Sequence, residues 1–207
     1  MQLHWSTARY APWQEVQLLD GLADRVLDGS ISEIGVSNIG PKRLAWMQQR
    51  LAERGVPLRS VQVQYSLLSP GDAKVDALRQ LCRERGIEVL AYSPLAFGVL
   101  TMPPDGERRP RTVLQRQLLA RLQPASRSLR AVMAVIAGQR SVSMAQVALN
   151  WCRAQGTTPI PGLRTPDQAR DVAGALQWSL TSAELDELTM ARQQCTVRTP
   201  SNPFQSA

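Results

Sequence analysis

One pattern constrains the fold more than any other: an amphipathic helix, a glycine and a short apolar strand follow one another four times. Each helix carries an apolar stripe at helical spacing, as in the first, with Val16, Leu19, Ala23 and Val26. The glycines stand where a left-handed cap is favoured, at Gly29, Gly55, Gly86 and Gly156. The strands that follow are "ISEIGV", "VQVQY", "IEVLAY" and "TTPIPG". This alternation predicts an α/β protein whose parallel strands are covered by helices.

Other features of the sequence mark helix starts and irregular segments. Capping-box sequences begin the fourth helix at "SMAQ", with Ser143 and Gln146, and a last helix at "TSAE", which carries Leu185 and Leu188. The interval 97–125 is long, rich in proline and arginine, and predicts a functional loop or lid. The tail, residues 194–207, is predicted to be extended and mobile.

Composition excludes several classes of protein. A hydrophobic content of 43% and a charged content of 20% are typical of a globular chain. No apolar run approaches the roughly 20 residues that a membrane span requires, and no secretory signal begins the sequence. Three widely separated cysteines argue against disulfides and predict a reducing, cytoplasmic location. With a single histidine and no paired cysteines, no metal site is expected.

The net charge of +7 is the feature that favours a nucleic-acid partner. However, only Lys42 and Lys74 among the 24 basic residues are lysine, and the excess is concentrated in 108–130, which holds seven arginines and no acid. That segment is either solvated or in contact with ligand phosphates. "SMAQVALNWCRAQG" superficially resembles the first half of a helix-turn-helix, but two prolines follow where a recognition helix should begin. We therefore expect no nucleic-acid partner.

Residues suited to a ligand recur where the strands end. Ligands of parallel α/β proteins bind at the carboxyl ends of the strands, and the candidates here are His4 and Trp5, Ser37 and Asn38, Gln62 to Tyr65, Tyr92 and Ser93, and Gly162 to Arg164. Five such positions in register indicate one binding edge.

Each candidate also has a structural interpretation. Ser37 and Asn38 suit a ligand carboxamide, but Asn38 could equally cap a helix. Gln62 either faces a cleft or is a satisfied structural glutamine. Tyr92 is either a platform for an aromatic ring or a core tyrosine. The "SPLAFG" turn offers backbone donors to phosphate, as any tight turn does. Arg164 precedes a short helix, where a guanidinium is unfavourable unless an anion is present.

Six ordered motifs resemble those of the aldo-keto reductases, most closely the cyanobacterial and chloroplast branch, from residue 2 to about 192. They are "QLHW", "IGVSN", "VQVQYSLL", "EVLAYSPLAFGVLT", "SMAQVALNWC" and "PIPGLRTPDQARDVAGAL". The resemblance implies a (β/α)₈ TIM barrel, represented by strand–helix units 4 to 8 within residues 1–193. It also implies NADPH/NADP⁺ as cofactor and a small-molecule aldehyde or ketone as substrate.

The resemblance assigns roles residue by residue. His4 matches the catalytic histidine that orients and polarises the carbonyl. Tyr92 matches the platform beneath the nicotinamide, and Ser37, Asn38 and Gln62 match the residues that hold its carboxamide. The pyrophosphate turn corresponds to Ser93, Pro94 and Leu95. The site for the 2′-phosphate and adenine corresponds to Gly162, Arg164, Gln168 and Asp171, with Arg164 favouring NADPH over NADH. The interval 97–125 corresponds to a loop over the cofactor, in which Arg111 or Arg116 meets phosphate.

Three departures from the family pattern are expected to matter. Val172 replaces a common asparagine near the adenine, and Thr101-Met102 replaces a usual Gly-Lys pair; either weakens the expected cofactor affinity. His4 matches the fourth strand, so the first three units, with the tetrad's tyrosine, lysine and aspartate, are expected to be absent, and Met1 to be an internal or secondary start. The chain alone is then expected to be inactive. The alternative interpretation is a non-catalytic barrel fragment that binds a nucleotide or a partner.

Overall fold

The structure, a computed structural model, describes residues 1–8, 10–70, 73–110 and 112–200. The strands of the described chain are β1 (Gln2–Leu3), β2 (Ile34–Ser37), β3 (Leu58–Gln64), β4 (Glu88–Tyr92) and β5 (Thr158–Ile160). Its α-helices are α1 (Pro12–Leu27), α2 (Pro41–Ala52), α3 (Ala73–Arg85), α4 (Val113–Ala125), α5 (Arg127–Arg140), α6 (Met144–Ala154), α7 (Pro166–Ala173) and α8 (Ser182–Gln194). The predicted α/β class is confirmed.

The strands lie in one sheet in the order β1-β2-β3-β4-β5. β1 pairs in parallel with β2, and β2 pairs in parallel with β3. The chain divides into two compact units. Among the described residues, the first comprises 1–64 and 73–90, and the second comprises 65–70 and 91–200.

In the first unit, the predicted helical stripes are the buried faces of α2 and α3. Leu44, Met47 and Leu51 are buried in α2, and Val75, Leu78 and Cys82 are buried in α3. Each helix is followed by a glycine with positive φ, as predicted: 73° at Gly55 and 65° at Gly86. Only glycine adopts this conformation at little steric cost, so it ends the helix and turns the chain towards the next strand.

In the second unit, the interval 97–125 is not the continuous loop that we predicted. A short 3₁₀ helix occupies Ala96–Thr101, and α4 follows, with its N-cap Thr112 accepting a hydrogen bond from the Gln115 amide. Leu119 and Leu122 of α4 are buried, and their spacing was the missed helical signal. The next helix, α5, was not predicted either. Among the described residues, the irregular part of the interval is thus confined to 102–110 and 112.

The prediction of a mobile tail from residue 194 is wrong for its first residues. Cys195, Val197 and Thr199 are buried, and the Thr199 amide donates to the carbonyl of Leu68 at 2.8 Å. Residues 201–207 lie outside the described chain. All three cysteines are free and buried.

No single helix among the described residues has the length and apolar composition needed to cross a bilayer; α5 and α6 satisfy that test only as a pair bent by 101°. The same residues contain no cluster of three or more histidine, cysteine or acidic side chains that could hold a metal ion.

The buried face of α1 differs from the predicted stripe because it includes a carboxylate. Glu15 is fully buried with Leu19 and Ala23, whereas Val16 and Val26 are only half-buried. Glu15 forms an ion pair with Arg43 of α2, and its carboxylate has no further hydrogen-bond partner. The Arg43 guanidinium lies 3.9 Å from the centroid of the Trp46 ring. A buried acid is therefore tolerated because a cation from the neighbouring helix compensates it.

Replacing Arg43 by methionine should lower the free energy of unfolding by about 3 kcal/mol, since the Glu15 carboxylate would stay buried without its partner. Urea denaturation measures the loss. Arg25→Met is the matched control, because Arg25 pairs with Asp28 at the surface and such pairs contribute below about 1 kcal/mol. The double variant with Glu15→Met should recover much of the loss. Equal effects of the two arginine variants would contradict this account.

Candidate functional site

In the first unit, Ser37 and Asn38 tie the ends of neighbouring strands together. Both side chains are almost fully buried. The Gln62 carbonyl of β3 accepts from the Asn38 amide at 2.9 Å and from Ser37 Oγ at 3.1 Å. Asn38 Nδ2 donates to the His4 carbonyl and to Ser37 Oγ, both at 3.1 Å. Ser37, Asn38, Gln62 and the His4 backbone therefore converge at one end of β1, β2 and β3.

The alternative that Asn38 caps a helix is wrong, because the N-cap of α2 is Gly40. Asn38 instead holds a left-handed backbone, with φ of 59°, a conformation that asparagine tolerates better than most residues. A strained residue at the exit of a strand, fixed by bonds to both neighbouring strands, is typical of binding sites.

Gln62 and His4 differ in how the protein uses their side chains. Gln62 Nε2 donates to Gln2 Oε1 at 2.8 Å. This bond agrees with the interpretation of Gln62 as a structural glutamine whose side chain has a hydrogen-bond partner. The His4 side chain is exposed, and its ring centroid lies 4.3 Å from that of Trp5.

In the second unit, the chain that leaves β4 adopts an unusual run of left-handed residues. Ser93, Ala96, Phe97 and Gly98 have φ of 53°, 47°, 59° and 84°. Such values are uncommon outside glycine, so the turn is held by its surroundings: Ala96 is fully buried, as are Val99 and Leu100 just beyond. Within the turn, the Ala96 and Gly98 amides donate to the carbonyls of Ser93 and Leu95 at 3.0 and 2.8 Å. Left-handed residues of this kind can form a concave backbone turn of the type that binds anions.

A cavity of about 460 Å³ lies against this turn. Seven residues predicted from the family motifs line it together: Ser93, Pro94, Leu95, Gly162, Arg164, Gln168 and Asp171. Tyr92 is not among the lining residues and is half-buried. The fully packed tyrosine of this unit is Tyr65, whose ring stacks on Trp151 with 5.3 Å between centroids.

The other lining residues were not assigned as ligands from the sequence. Phe97, Gly98, Thr101, Ala145, Leu163 and Val172 lie in segments that the motifs had singled out, whereas no specific sequence signal indicated Arg108 and Gln115. Of the two arginines proposed to meet phosphate, Arg116 lines a separate cavity of about 550 Å³, and Arg111 lies outside the described residues. Nothing in the spacing of the arginine-rich run distinguishes Arg108 from its neighbours, so only the fold could identify it.

Polar side chains of the cavity wall are held by other protein groups. Asp171 accepts from Ser143 Oγ at 2.8 Å and from Gln146 Nε2 at 3.0 Å. Gln146 in turn accepts from the indole nitrogen of Trp178 at 3.0 Å. Ser143 caps α6 as predicted, but the Gln146 side chain is directed to Asp171 and does not complete a capping box.

The charges of the cavity favour an anion. Arg108 and Arg164 contribute guanidinium groups, whereas Asp171, the one carboxylate among the lining residues, already accepts two hydrogen bonds. The side chain of Gln168 accepts from the Arg164 amide at 2.8 Å, which fixes the backbone from which that guanidinium projects. Two cations beside a concave backbone turn suit a ligand with several phosphate groups.

Comparison with known proteins identifies the family. The family model described as "Aldo/keto reductase family" matches residues 1–193. The chain belongs to the aldo/keto reductase family. The chloroplastic pyridoxal reductase of Arabidopsis thaliana is 42% identical over 99% of this chain and 56% of its own length. An uncharacterized oxidoreductase of Mycobacterium bovis is 33% identical over 84% of this chain and 53% of its own. The chain thus spans little more than half the length of these curated relatives.

Solved aldo/keto reductase structures share the fold. The match to the glycerol dehydrogenase of Gluconobacter oxydans covers all of this chain and 61% of the dehydrogenase chain, with a TM-score of 0.79 and 22% identity. A thermostable aldo-keto reductase in complex with the inhibitor epalrestat matches 92% of this chain and 58% of its own, with a TM-score of 0.65 and 24% identity. At these identities the likeness concerns the fold alone.

Arg140 contacts the Trp178 indole and forms an ion pair with Glu184. Arg140 donates from Nε and Nη2 to the two carboxylate oxygens of Glu184, at 2.5 and 2.7 Å, and its guanidinium lies 5.0 Å from the centroid of Trp178. These hydrogen bonds from Arg140 lower the pKa of Glu184 to about 2, and bonds from Thr181 add to the effect while burial opposes it.

Because the folded-state pKa of Glu184 lies below its ordinary value of 4.5, the carboxylate stabilises the fold above about pH 4.5 and loses that effect as the pH falls towards 2. Glu184→Gln should therefore cost about 1 kcal/mol at pH 6 and almost nothing near pH 2. Urea unfolding at both pH values tests this, with the exposed Glu187 of the same helix, changed to Gln, as control. A pH-independent difference would contradict the ion-pair explanation.

Proposed function

We propose that this chain is the NADPH-binding portion, strand–helix units 4 to 8, of a (β/α)₈ barrel that reduces aldehydes or ketones to alcohols. The supporting observation is the cavity of the second unit, where the left-handed turn after β4 and the guanidinium groups of Arg108 and Arg164 surround a space of about 460 Å³. This set of donors fits a pyridine dinucleotide phosphate, whose phosphates require several cations and backbone amides.

Within that cavity, each end of the cofactor has a proposed partner. Ser93, Pro94 and Leu95 would take the pyrophosphate, and Arg164 the 2′-phosphate. Gln168 and Asp171 would take the adenine, with Asp171 oriented by Ser143 and Gln146. Val172 lines the wall where the family commonly has an asparagine, so the carboxylate would carry the polar recognition of the base.

In the first unit, Ser37, Asn38 and Gln62 are proposed to hold the nicotinamide carboxamide. Tyr92, a residue of the second unit, keeps its proposed role as the platform for the nicotinamide ring. The bonds from Asn38 and Ser37 to the Gln62 carbonyl fix these groups relative to one another, so that they would need no reorganisation on binding. Such preorganisation is a large part of what a protein contributes to a cofactor reaction.

The chemistry of the reaction is proposed to involve His4. Bound NADPH supplies a hydride to carbonyl carbons. The His4 imidazole is exposed and would donate a hydrogen bond to the carbonyl oxygen, which polarises the carbonyl group and stabilises the developing negative charge. The tyrosine that protonates that oxygen, with its lysine and aspartate, is assigned by the family resemblance to the first three units. We therefore propose that the 207-residue chain binds NADPH but does not turn over.

Pyridoxal is the first substrate to test, since the plant relative at 42% identity is named a pyridoxal reductase. A cytoplasmic location remains our prediction from the free cysteines, while that relative is chloroplastic by name.

The proposal is tested by titrating the chain with NADPH, using tryptophan fluorescence, and by following NADPH oxidation with pyridoxal or 4-nitrobenzaldehyde. We expect saturable binding without turnover. Joining the chain to the first three strand–helix units of the Arabidopsis relative should then give pyridoxal-dependent NADPH oxidation. In that chimera, His4→Ala should lower kcat about 100-fold, the scale for losing one donor to a developing oxyanion.

Each outcome is decisive for one part of the proposal. Turnover by the 207-residue chain would show that its own residues suffice. Absence of NADPH binding would contradict the cofactor assignment. A chimera that binds NADPH without oxidising it, or one in which His4→Ala leaves kcat unchanged, would contradict the reductase role or the role of His4.

Arg164→Gln should weaken NADPH binding about tenfold and leave NADH binding unchanged, since only NADPH carries the 2′-phosphate that a guanidinium would pair with. Arg170→Gln is the matched control, because Arg170 is exposed on α7, the helix that follows Arg164, and is paired with Asp167. Equal losses for the two dinucleotides, or equal effects of the two variants, would place the 2′-phosphate elsewhere.

A further inference from the structure

The indole of Trp178 is connected to the cavity of the second unit through another side chain. Neither Trp178 nor Gln146 lines that cavity, whereas Asp171 does. Trp178 Nε1 donates to Gln146 Oε1 at 3.0 Å, and Gln146 Nε2 donates to Asp171 Oδ1 at 3.0 Å. Two hydrogen bonds in series therefore link an indole outside the lining to a carboxylate within it.

Both hydrogen bonds require the same orientation of the Gln146 amide. A glutamine amide has an acceptor oxygen on one side and a donor nitrogen on the other, whereas an indole N–H can only donate. If the amide were turned over, its nitrogen would face the Trp178 N–H and its oxygen would face the Asp171 carboxylate. Two donors and two acceptors would then oppose each other, so the indole keeps the amide donor directed at Asp171.

Gly174, just after α7, leaves the space that the Gln146 amide occupies. A Cβ built on Gly174 would lie 2.7 Å from Gln146 Nε2 and 3.0 Å from the amide carbon Cδ. The backbone of Gly174 is in the ordinary right-handed region, which any residue adopts, so its conformation does not require glycine. The close approach of the Gln146 amide is what a larger residue at this position would disturb.

Trp178 is itself held by groups on two helices. The Arg140 guanidinium lies 5.0 Å from the centroid of its ring and is fixed by two hydrogen bonds to Glu184. Arg153 of α6 donates from Nη1 to the carbonyls of Ala175 and Trp178, at 2.5 and 3.2 Å. Both the ring and the backbone of Trp178 are therefore restrained, which gives the indole N–H a defined position.

These contacts restrict the ligand groups that Asp171 can recognise. Ser143 Oγ donates to Oδ2 at 2.8 Å and Gln146 Nε2 donates to Oδ1, so both oxygens are fixed and each keeps a lone pair for a further donor. The amino group at C6 of adenine is a hydrogen-bond donor, whereas the oxo group at C6 of a 6-oxopurine is an acceptor. A carboxylate fixed in this way therefore favours a 6-aminopurine over a 6-oxopurine.

We propose that Trp178 is a positioning residue for base recognition: through Gln146 it holds the Asp171 carboxylate, so that the site prefers a 6-aminopurine to a 6-oxopurine. This inference rests on the proposed function, in which Asp171 takes the adenine. It adds a residue that lies outside both the cavity lining and the six sequence motifs, and a base preference that binding of a dinucleotide does not by itself require.

The test compares wild type with Trp178→Phe by isothermal titration calorimetry, using NADPH and its hypoxanthine analogue, reduced nicotinamide hypoxanthine dinucleotide phosphate. We expect wild type to bind NADPH about tenfold more tightly, because the oxo group of the analogue would face the Asp171 carboxylate. Trp178→Phe keeps an aromatic ring beside Arg140 but removes the N–H. It should lower the affinity for NADPH about fivefold, the scale of one neutral hydrogen bond, and leave that for the analogue unchanged. Trp13→Phe, at an exposed tryptophan of α1, is the matched control.

Gly174→Ala is a second, independent variant. Its methyl group would displace the Gln146 amide without removing any hydrogen-bonding group, so it should reduce the preference for NADPH over the analogue while Trp178 is still present. Gly138→Ala in α5 is its control, because among the described residues no atom beyond that stretch of helix lies within 4 Å of a Cβ built there. Circular dichroism and the urea midpoint verify that each variant is folded, and if one does not fold, the other decides.

The two ligands separate this inference from the proposed function. A folded Trp178→Phe or Gly174→Ala that keeps the wild-type preference would overturn the inference, and so would equal losses for both dinucleotides, which indicate a general change in the cavity. If wild type binds the two ligands equally, Asp171 does not recognise the amino group, and the inference fails while the cofactor assignment stands. If wild type binds neither, the proposed function fails and the inference fails with it.

Discussion

The left-handed backbone after β4 is the constraint on which the cavity of the second unit depends. Ser93, Ala96 and Phe97 each hold a positive φ that L-residues avoid, at a cost on the order of 1 kcal/mol apiece. The turn persists because Ala96, Val99 and Leu100 are buried, so that relaxing the backbone would expose apolar surface. The packing thus stabilises a turn that local preference alone would not form, and the proposed ligand-binding properties follow from its shape.

Charged side chains of the same type differ in whether the protein holds them in place, according to where they lie relative to this turn. The chain carries a net charge of +7, yet most of its arginines are solvated or paired. Arg108 is held against Gly98, whereas Arg109, one residue later, is exposed. Asp171 shows the converse, since Ser143 and Gln146 bond both of its oxygens and restrict what they can recognise. The net charge of the chain therefore does not indicate which ligand it binds, whereas the charged side chains that are held in position do.

The sequence predicted features that depend on neighbouring residues and missed those that depend on distant ones. The stripes of α2 and α3 and the glycine caps follow from local periodicity and were correct. Glu15 was missed because its burial requires Arg43 of another helix. Helix α4 was missed because proline and arginine mask the spacing of Leu119 and Leu122. In the site, motifs brought together residues near strand ends, but Arg108 depends on Gln123 and Arg130, which no motif connects to it.

Binding and chemistry have different structural requirements in this chain. The proposed phosphate and adenine ligands, from Ser93 to Asp171, belong to one compact unit and are held by bonds within it. A local cavity of this kind needs only its own packing to keep its shape. Carbonyl reduction also needs a proton donor with a tuned pKa, set by several charged groups in fixed relation to the cofactor. The proposed cofactor binding therefore depends on fewer fixed groups than the proposed carbonyl reduction does.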